Sequence, residues 1–322
     1  DLMHMYKAAI LDDYQNVGLE FADWQRLAGA VEVTVFTDHL FDEDAVAERL
    51  AEFHILVLNR ERTPFPRTLL ERLGNLKLMT TSGMYNRSAD MDAARELGID
   101  FCGTEMRSAA TPELAWGLIL ALARQILKED RNMREGRWQE SVGIGLAGKV
   151  LGIIGLGKLG TPVARIGQAF EMDVAAWSPN LTQARADQVG VRCVDKDTLM
   201  SGSDFITLHM PLSERSRGIL QAGDLAKMKK TAFLINTSRG PLIDEAALIN
   251  ALQAKSFAGA GLDVYDVEPL PADHPLRALE NTVLTPHLGY VSRDTYEVSF
   301  GQAVENIEAW LKGAPIRLIN GA

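Results

Sequence analysis

The sequence predicts an α/β protein built from two doubly wound parallel sheets, and three observations predict it. Short β-rich runs alternate with helical segments from one end of the chain to the other, the pattern that builds parallel sheet with helices on both faces. The 322 residues exceed what one small core holds and suit two domains of ordinary size. Near the middle, a glycine-rich turn follows an apolar run and opens a helical one.

Taken in order, Asp1-Leu2-Met3-His4-Met5 read as a vector-derived leader with Met5 as the natural start, and are set apart from the fold. Residues 7–11, 31–36, 54–58, 76–80 and 99–102 read as strands, with amphipathic helical stretches such as 17–27 and 43–51 between them. A long helix follows, announced by Thr111-Pro112-Glu113; Thr111 suits its cap and Pro112 its first turn. A second series starts at Lys149, with strands at 150–154, 173–177, 191–194, 205–208, 232–235 and 259–262, the number that a dinucleotide-binding sheet requires. The last helix, 292–311, carries Tyr296, Ala303, Val304, Ile307 and Leu311 on one stripe and stops at Gly313.

Composition narrows the function. No apolar run reaches the roughly 18 residues that span a bilayer, and Asp12, Asp13 and Glu20 interrupt any signal-peptide core, so a cytoplasmic chain is expected. The two cysteines, Cys102 and Cys193, stand far apart and read as reduced core residues. No two of the six histidines have metal-ligand spacing, so no metal is expected. A net charge of −10 argues against nucleic acid or anionic membrane as partners. An anionic ligand would need a few arginines to hold it.

The glycine turn is Gly155-Leu156-Gly157-Lys158-Leu159-Gly160. Its spacing has a purpose: Gly155 for the tight turn, Gly157 for close approach of a pyrophosphate, and Gly160 for packing of helix on strand. The helix N-terminus offers N–H groups and a positive dipole end to the phosphates. At the end of the next strand, Trp177-Ser178-Pro179-Asn180 places Ser178 where NAD enzymes usually carry an acid for the ribose 2′-hydroxyl. A serine does not repel a 2′-phosphate, yet Arg185 is the nearest cation to bind one. NAD and NADP both stay open, with a tilt toward NADP.

Three later stretches place ionisable groups at predicted strand ends: Asn236-Thr237-Ser238-Arg239-Gly240, then Leu262-Asp263-Val264-Tyr265-Asp266-Val267-Glu268-Pro269, then Thr285-Pro286-His287-Leu288-Gly289. Reduction of a carbonyl by a dinucleotide delivers hydride to the carbonyl carbon and a proton to its oxygen. His287 suits the acid, since histidine titrates near neutrality. Glu268 would orient the ring, and its charge suits the imidazolium. Arg239 offers a planar fork to a carboxylate and polarises the carbonyl. Singly, each has an ordinary structural reading as a surface cation, a turn residue or a loop histidine. Their ordered occurrence after the glycine turn carries the functional reading. His39, His54 and His274 have no partner pattern, and His209 reads as shaping the loop before Met210-Pro211.

With these motifs the chain resembles the D-isomer-specific 2-hydroxyacid dehydrogenases, a family that includes glyoxylate/hydroxypyruvate reductases and phosphoglycerate dehydrogenase. The resemblance covers nearly the whole chain, most clearly from Leu76 onward. It implies a Rossmann cofactor domain, 107–287, inserted in a flavodoxin-like substrate domain, 6–106 and 288–322. It also implies a homodimer built partly on the long helix after Thr111. Asp263 would face the nicotinamide carboxamide, and Met210, Pro211, Ser216, Thr237 and Ser238 would line the cofactor. Backbone N–H groups around Gly83, in Ser82-Gly83-Met84-Tyr85-Asn86, would bind the substrate carboxylate. Leu114 stands where many relatives carry histidine, and Tyr290 replaces the small residue usual after the Thr285–Gly289 run. Met84, Tyr85 and Tyr290 beside Arg60 are expected to shape the substrate pocket, with plain packing the alternative for both tyrosines.

Two rivals stand against a small 2-keto or 2-hydroxy acid as substrate. Dinucleotide-sensing corepressors share this fold and keep the same trio, but need a partner-peptide surface and usually tails, whereas this chain ends soon after its last helix. Formate-type dehydrogenases are similar but carry glutamine where Glu268 stands. A regulatory domain of the phosphoglycerate dehydrogenase type is not expected either.

Overall fold

The computed structural model describes residues 5–107 and 109–321; of the five residues read as a leader, Asp1–His4 lie outside them. The chain divides into two units, one running to Arg107 and resuming at Val291, the other between them and ending at Tyr290.

The first unit is a five-stranded parallel sheet of β1 (Tyr6–Ile10), β2 (Val31–Val35), β3 (Ile55–Leu58), β4 (Leu78–Thr81) and β5 (Asp100–Gly103), in the order β2-β1-β3-β4-β5. Every residue of β3 and β4 is buried, which is why β3, Ile55-Leu56-Val57-Leu58, reads as an unbroken apolar run rather than an alternating one. The helices α1 (Glu43–Leu50), α2 (Arg67–Leu70) and α3 (Met91–Glu96) connect them. Asp42 caps α1 and Asp90 caps α3 by accepting from Asp44 and Ala93 amides.

The helix expected over 17–27 is instead a set of turns ending in one 3₁₀ turn, Trp24–Leu27. The Asp13 carboxylate accepts the amides of Val17 (3.1 Å) and Gly18 (2.7 Å), and the Trp24 indole donates to the Gly18 carbonyl at 2.9 Å. Side chains take backbone groups that a helix would have used.

The second unit opens with α4 (Ala110–Arg124) and α5 (Ile126–Arg134), separated by Gln125 at φ +53°. Thr111 is not the cap: it lies inside α4, and its hydroxyl donates to the Gly289 carbonyl at 3.0 Å. The sheet contains β6 (Val150–Ile154), β7 (Asp173–Trp177), β8 (Arg192–Cys193), β9 (Phe205–Leu208), β10 (Phe233–Asn236), β11 (Gly259–Leu262) and β12 (Thr282–Leu284). All pair in parallel, in the order β12-β11-β10-β9-β6-β7-β8. This is the doubly wound order with its switch point between β6 and β9, plus a seventh strand, β12, that periodicity did not reveal. The helices α6 (Gly160–Ala169), α7 (Gln183–Val189), α8 (Lys196–Gly202), α9 (Ala222–Leu225) and α10 (Glu245–Gln253) link the strands.

The last helix, α11 (Arg293–Leu311), returns to the first unit, capped by Ser292 through the Thr295 amide. Asn306 on α11 is fully buried and donates to Thr80 Oγ1 (3.0 Å) and the Gly103 carbonyl (2.9 Å), tying the helix to β4 and β5. The fold class is therefore two parallel-sheet α/β units, one with five strands and one with seven.

Both cysteines are free. Cys102 is buried in β5, and burial pushes its thiol up to about 12. Cys193 is partly buried on the two-residue edge strand β8, where it packs against the apolar core of the second unit. Among the described residues, no helix is long and apolar enough to cross a membrane.

Candidate active site

In the second unit, the predicted site residues follow the C-terminal ends of the parallel strands, where open α/β sheets bind ligands. Gly155 comes after β6, Ser178 after β7, Met210 after β9, Arg239 after β10, Asp263 after β11 and His287 after β12.

The glycine turn is shaped as its spacing required. Gly155 has φ +98°, and a Cβ there would fall 2.3 Å from the His209 carbonyl oxygen, so no larger residue fits. A Cβ on Gly160 would lie 1.9 Å from the Gly155 carbonyl oxygen, whereas Gly157 borders open space. Lys158 is exposed and Leu159 half-buried at the start of α6, which has no side-chain cap and so presents its positive dipole end to the turn.

A cleft of about 270 Å³ opens beside this turn, lined by Gly155, Gly157, Ser178, Arg185, Met210 and Pro211 among others. Arg185 reaches from α7 to donate to Thr161 Oγ1 at 2.9 Å. Ser216 fastens the loop that follows: its hydroxyl donates to the Pro211 carbonyl at 2.8 Å and accepts from the Ser213 amide at 2.8 Å. Ser238 Oγ donates to the Leu208 carbonyl at 2.7 Å. The Thr237 hydroxyl is buried with no hydrogen-bond partner among the described residues, a polar atom that a bound ligand would satisfy. An open glycine, a helix N-terminus, a cleft beside the glycine turn and an orphan hydroxyl together fit a dinucleotide.

His209 is buried, with Nε2 at 2.9 Å from Thr207 Oγ1, and burial lowers its pKa to about 4. Free histidine titrates near 6.5, so between that value and about 4 the unfolded chain takes up a proton that the folded one refuses. Stability is therefore fully present above pH ~6.5 and lost as pH falls through this window, by on the order of 3 kcal/mol. Denaturant melts at pH 7 and pH 4.5 are expected to show that loss, and His209→Gln to reduce it. An equal loss in the variant would assign the acid sensitivity to other groups.

The ionisable trio has defined supports. His287 Nδ1 lies 2.5 Å from Glu268 Oε2, and Glu268 Oε1 accepts the Tyr265 amide at 2.9 Å. With Nδ1 engaged, Nε2 is the nitrogen left for a reacting group. The two side chains keep 23% and 31% of their surface exposed, enough for contact with a substrate. Arg239 is half-buried; Nη1 donates to the Ser238 carbonyl at 2.7 Å, and the Arg239 carbonyl accepts from Asn236 Nδ2 at 2.9 Å.

Residues 116–289, more than half of the chain, match the family described as D-isomer specific 2-hydroxyacid dehydrogenase, NAD binding domain. The chain belongs to that family. A hydroxypyruvate reductase of Blautia hydrogenotrophica is 32% identical over 98% of this chain and 99% of its own. A D-3-phosphoglycerate dehydrogenase of Archaeoglobus fulgidus is 36% identical over 94% of this chain but only 57% of its own. The chain thus spans just over half the length of that relative. Among solved structures, a phosphoglycerate oxidoreductase of Vibrio cholerae O395 superposes with a TM-score of 0.91 at 37% identity, covering 96% of this chain and all of the other.

Other site residues of this 2-hydroxyacid dehydrogenase family member take positions that the sequence did not reveal. Asp263, read as facing a carboxamide, has no exposed surface, and its oxygens accept from Thr285 Oγ1, Leu288 N and Gly289 N. Tyr290 is buried, its ring edge-on to the His287 imidazole at 5.5 Å.

In the first unit, Gly83 has φ +95° and packs under Arg60, whose Nη1 a Cβ would approach to 2.3 Å. The Gly83 amide donates to Thr104 Oγ1 at 3.3 Å. Arg60 itself has φ +54° and donates to the Ser82 carbonyl at 3.2 Å. Met84 and Tyr85 are exposed, and Arg60 and Arg87 stand 5.7 and 5.4 Å from the Tyr85 ring centre.

The three histidines that show no partner pattern in the sequence have structural partners: His39 meets Asp12 at 2.8 Å, His54 Nδ1 accepts the Lys7 amide at 3.1 Å, and His274 meets Glu245 at 3.0 Å. Among the described residues, no group of three His, Cys, Asp or Glu is placed to hold a metal ion.

Proposed function

We propose that the protein reduces small 2-keto acids with a nicotinamide dinucleotide and oxidises the 2-hydroxy acids in reverse, with His287 as general acid and base. The observation that carries this reading is the His287–Glu268 pair, 2.5 Å apart, on the sheet edge that also holds the glycine turn. A bound nicotinamide supplies or accepts the hydride. His287 Nε2 gives its proton to the carbonyl oxygen as it becomes a hydroxyl, and takes it back in oxidation. Glu268 holds the ring through Nδ1 and balances its positive charge. Arg239 holds the carboxylate and polarises the carbonyl.

Glyoxylate and hydroxypyruvate are the proposed substrates, since relatives carry those names. NADPH is the favoured cofactor, supported by neutral Ser178 and cationic Arg185 lining one cleft. A homodimer is the proposed assembly: α5 and the following segment expose Ile126, Leu127 and Met133, with Trp138 72% and Val142 95% exposed, an apolar strip that a second copy would cover. Sedimentation velocity tests it, and a monomer at micromolar concentration refutes it. The free cysteines suit the reducing cytoplasm proposed for it.

A panel of 2-keto acids assayed with NADPH and NADH tests the reading. Dinucleotide binding without turnover on any of them would instead mark a sensing protein. On the same panel, Ser178→Asp places a charge beside the ribose that accepts from a 2′-hydroxyl and repels a 2′-phosphate. The kcat/KM ratio of NADPH to NADH is expected to fall by about 10²-fold or more, a shift of roughly 3 kcal/mol. A ratio unmoved by the substitution would place the ribose elsewhere.

A further inference from the structure

We propose that Asp263 is a positioning residue for His287, acting through the 285–289 loop that its carboxylate gathers. The inference rests on the reading of His287 as acid and base, and it assigns Asp263 a task within the protein itself.

Three donors converge on this one buried carboxylate. Thr285 Oγ1 and the Leu288 amide donate to Oδ1, both at 2.7 Å, and the Gly289 amide donates to Oδ2 at 2.9 Å. The Asp263 carbonyl also accepts the His287 amide at 2.8 Å. Every one of these donors lies on the five-residue run with His287 at its centre. Burial pushes the Asp263 carboxyl above its ordinary value, opposed by Thr285, Leu288, His287 and Gly289; three donors on two oxygens is the pattern of the ionised form.

The arrangement matters because His287 sits at φ +53°, a left-handed conformation that costs a non-glycine residue about 1–3 kcal/mol and persists only where its surroundings impose it. Asp263 supplies those surroundings by fixing the residues on both sides. From α4, Thr111 Oγ1 holds the Gly289 carbonyl at 3.0 Å, and the Tyr265 hydroxyl lies 2.9 Å from the Thr285 carbonyl. The ring must meet Glu268 on one nitrogen and the substrate on the other, so a shift of the backbone misaims it.

An amide cannot replace this carboxylate. Asparagine has one acceptor oxygen, so its NH₂ must face at least one of the three donors. Asp263→Asn is therefore expected to accelerate hydrogen exchange of the Leu288 and Gly289 amides and to lower kcat. Thr285→Val removes one donor and leaves Asp263 itself in place. It is expected to lower kcat about tenfold with the KM for dinucleotide within about twofold, and Thr285→Ser, which keeps the hydroxyl, to restore it. Wild-type kcat in Thr285→Val, or an Asp263→Asn variant that loses dinucleotide affinity with unchanged amide exchange, would overturn the proposal. Wild-type activity in His287→Ala would instead remove the reading on which it rests.

Discussion

Replacing His287 by alanine is expected to lower kcat for keto-acid reduction by about 10²–10⁴-fold, the usual contribution of a positioned acid. Dinucleotide affinity should stay within about twofold, because the cleft beside the glycine turn is lined by other residues. Reduction consumes a proton and oxidation releases one, so both directions should fail together in the variant. Glu268→Gln keeps the size of the side chain but not its charge, and should cost less than the loss of the imidazole. In the double variant the costs should not add, since Glu268 acts through the ring 2.5 Å away. Single-turnover rates at saturating cofactor, together with fluorescence titration of the dinucleotide, measure both quantities. Near wild-type kcat in His287→Ala would end the assignment.

How far the sequence reveals this site depends on the range of the interactions involved. The all-apolar strands and the glycine turn are local signals, and the structure has strands where they indicated. Arg239 and Glu268 were legible because each follows a recognisable strand with a chemistry-bearing residue. His287 was legible from its motif, although β12, the strand just before it, was not. That strand has only three residues, all partly buried, too few for a periodicity. The pairing of His39 with Asp12 spans 27 positions, and no local pattern announces it. Nor does a motif show that Asp263 gathers three donors, since those bonds exist only once the 285–289 loop closes on β11. The turns over 17–27 escaped for a related reason: the Asp13 carboxylate outcompeted an amphipathic pattern for the backbone amides.

Arg239→Lys should lower kcat/KM for 2-keto acids by about 10²-fold, roughly 2–3 kcal/mol of transition-state binding. The substitution keeps the charge, so the loss isolates geometry. A guanidinium presents two parallel N–H groups to the two oxygens of a carboxylate, whereas an ammonium acts as a point charge on a flexible stem. The site holds its arginine ready for that use. Asn236 Nδ2 fixes the Arg239 carbonyl, and Nη1 anchors on the Ser238 carbonyl at 2.7 Å. Lysine has donors enough, but a single flexible ammonium cannot keep the planar fork that holds the carboxylate and polarises the carbonyl at once. KM should therefore rise and kcat fall together, with dinucleotide affinity unchanged. Steady-state kinetics on glyoxylate and on a longer 2-keto acid should show the same proportional loss, because the carboxylate is common to both. A kcat/KM equal to that of the parent protein would reduce Arg239 to a framework cation of the β10 turn and leave recognition of the carboxylate to other donors.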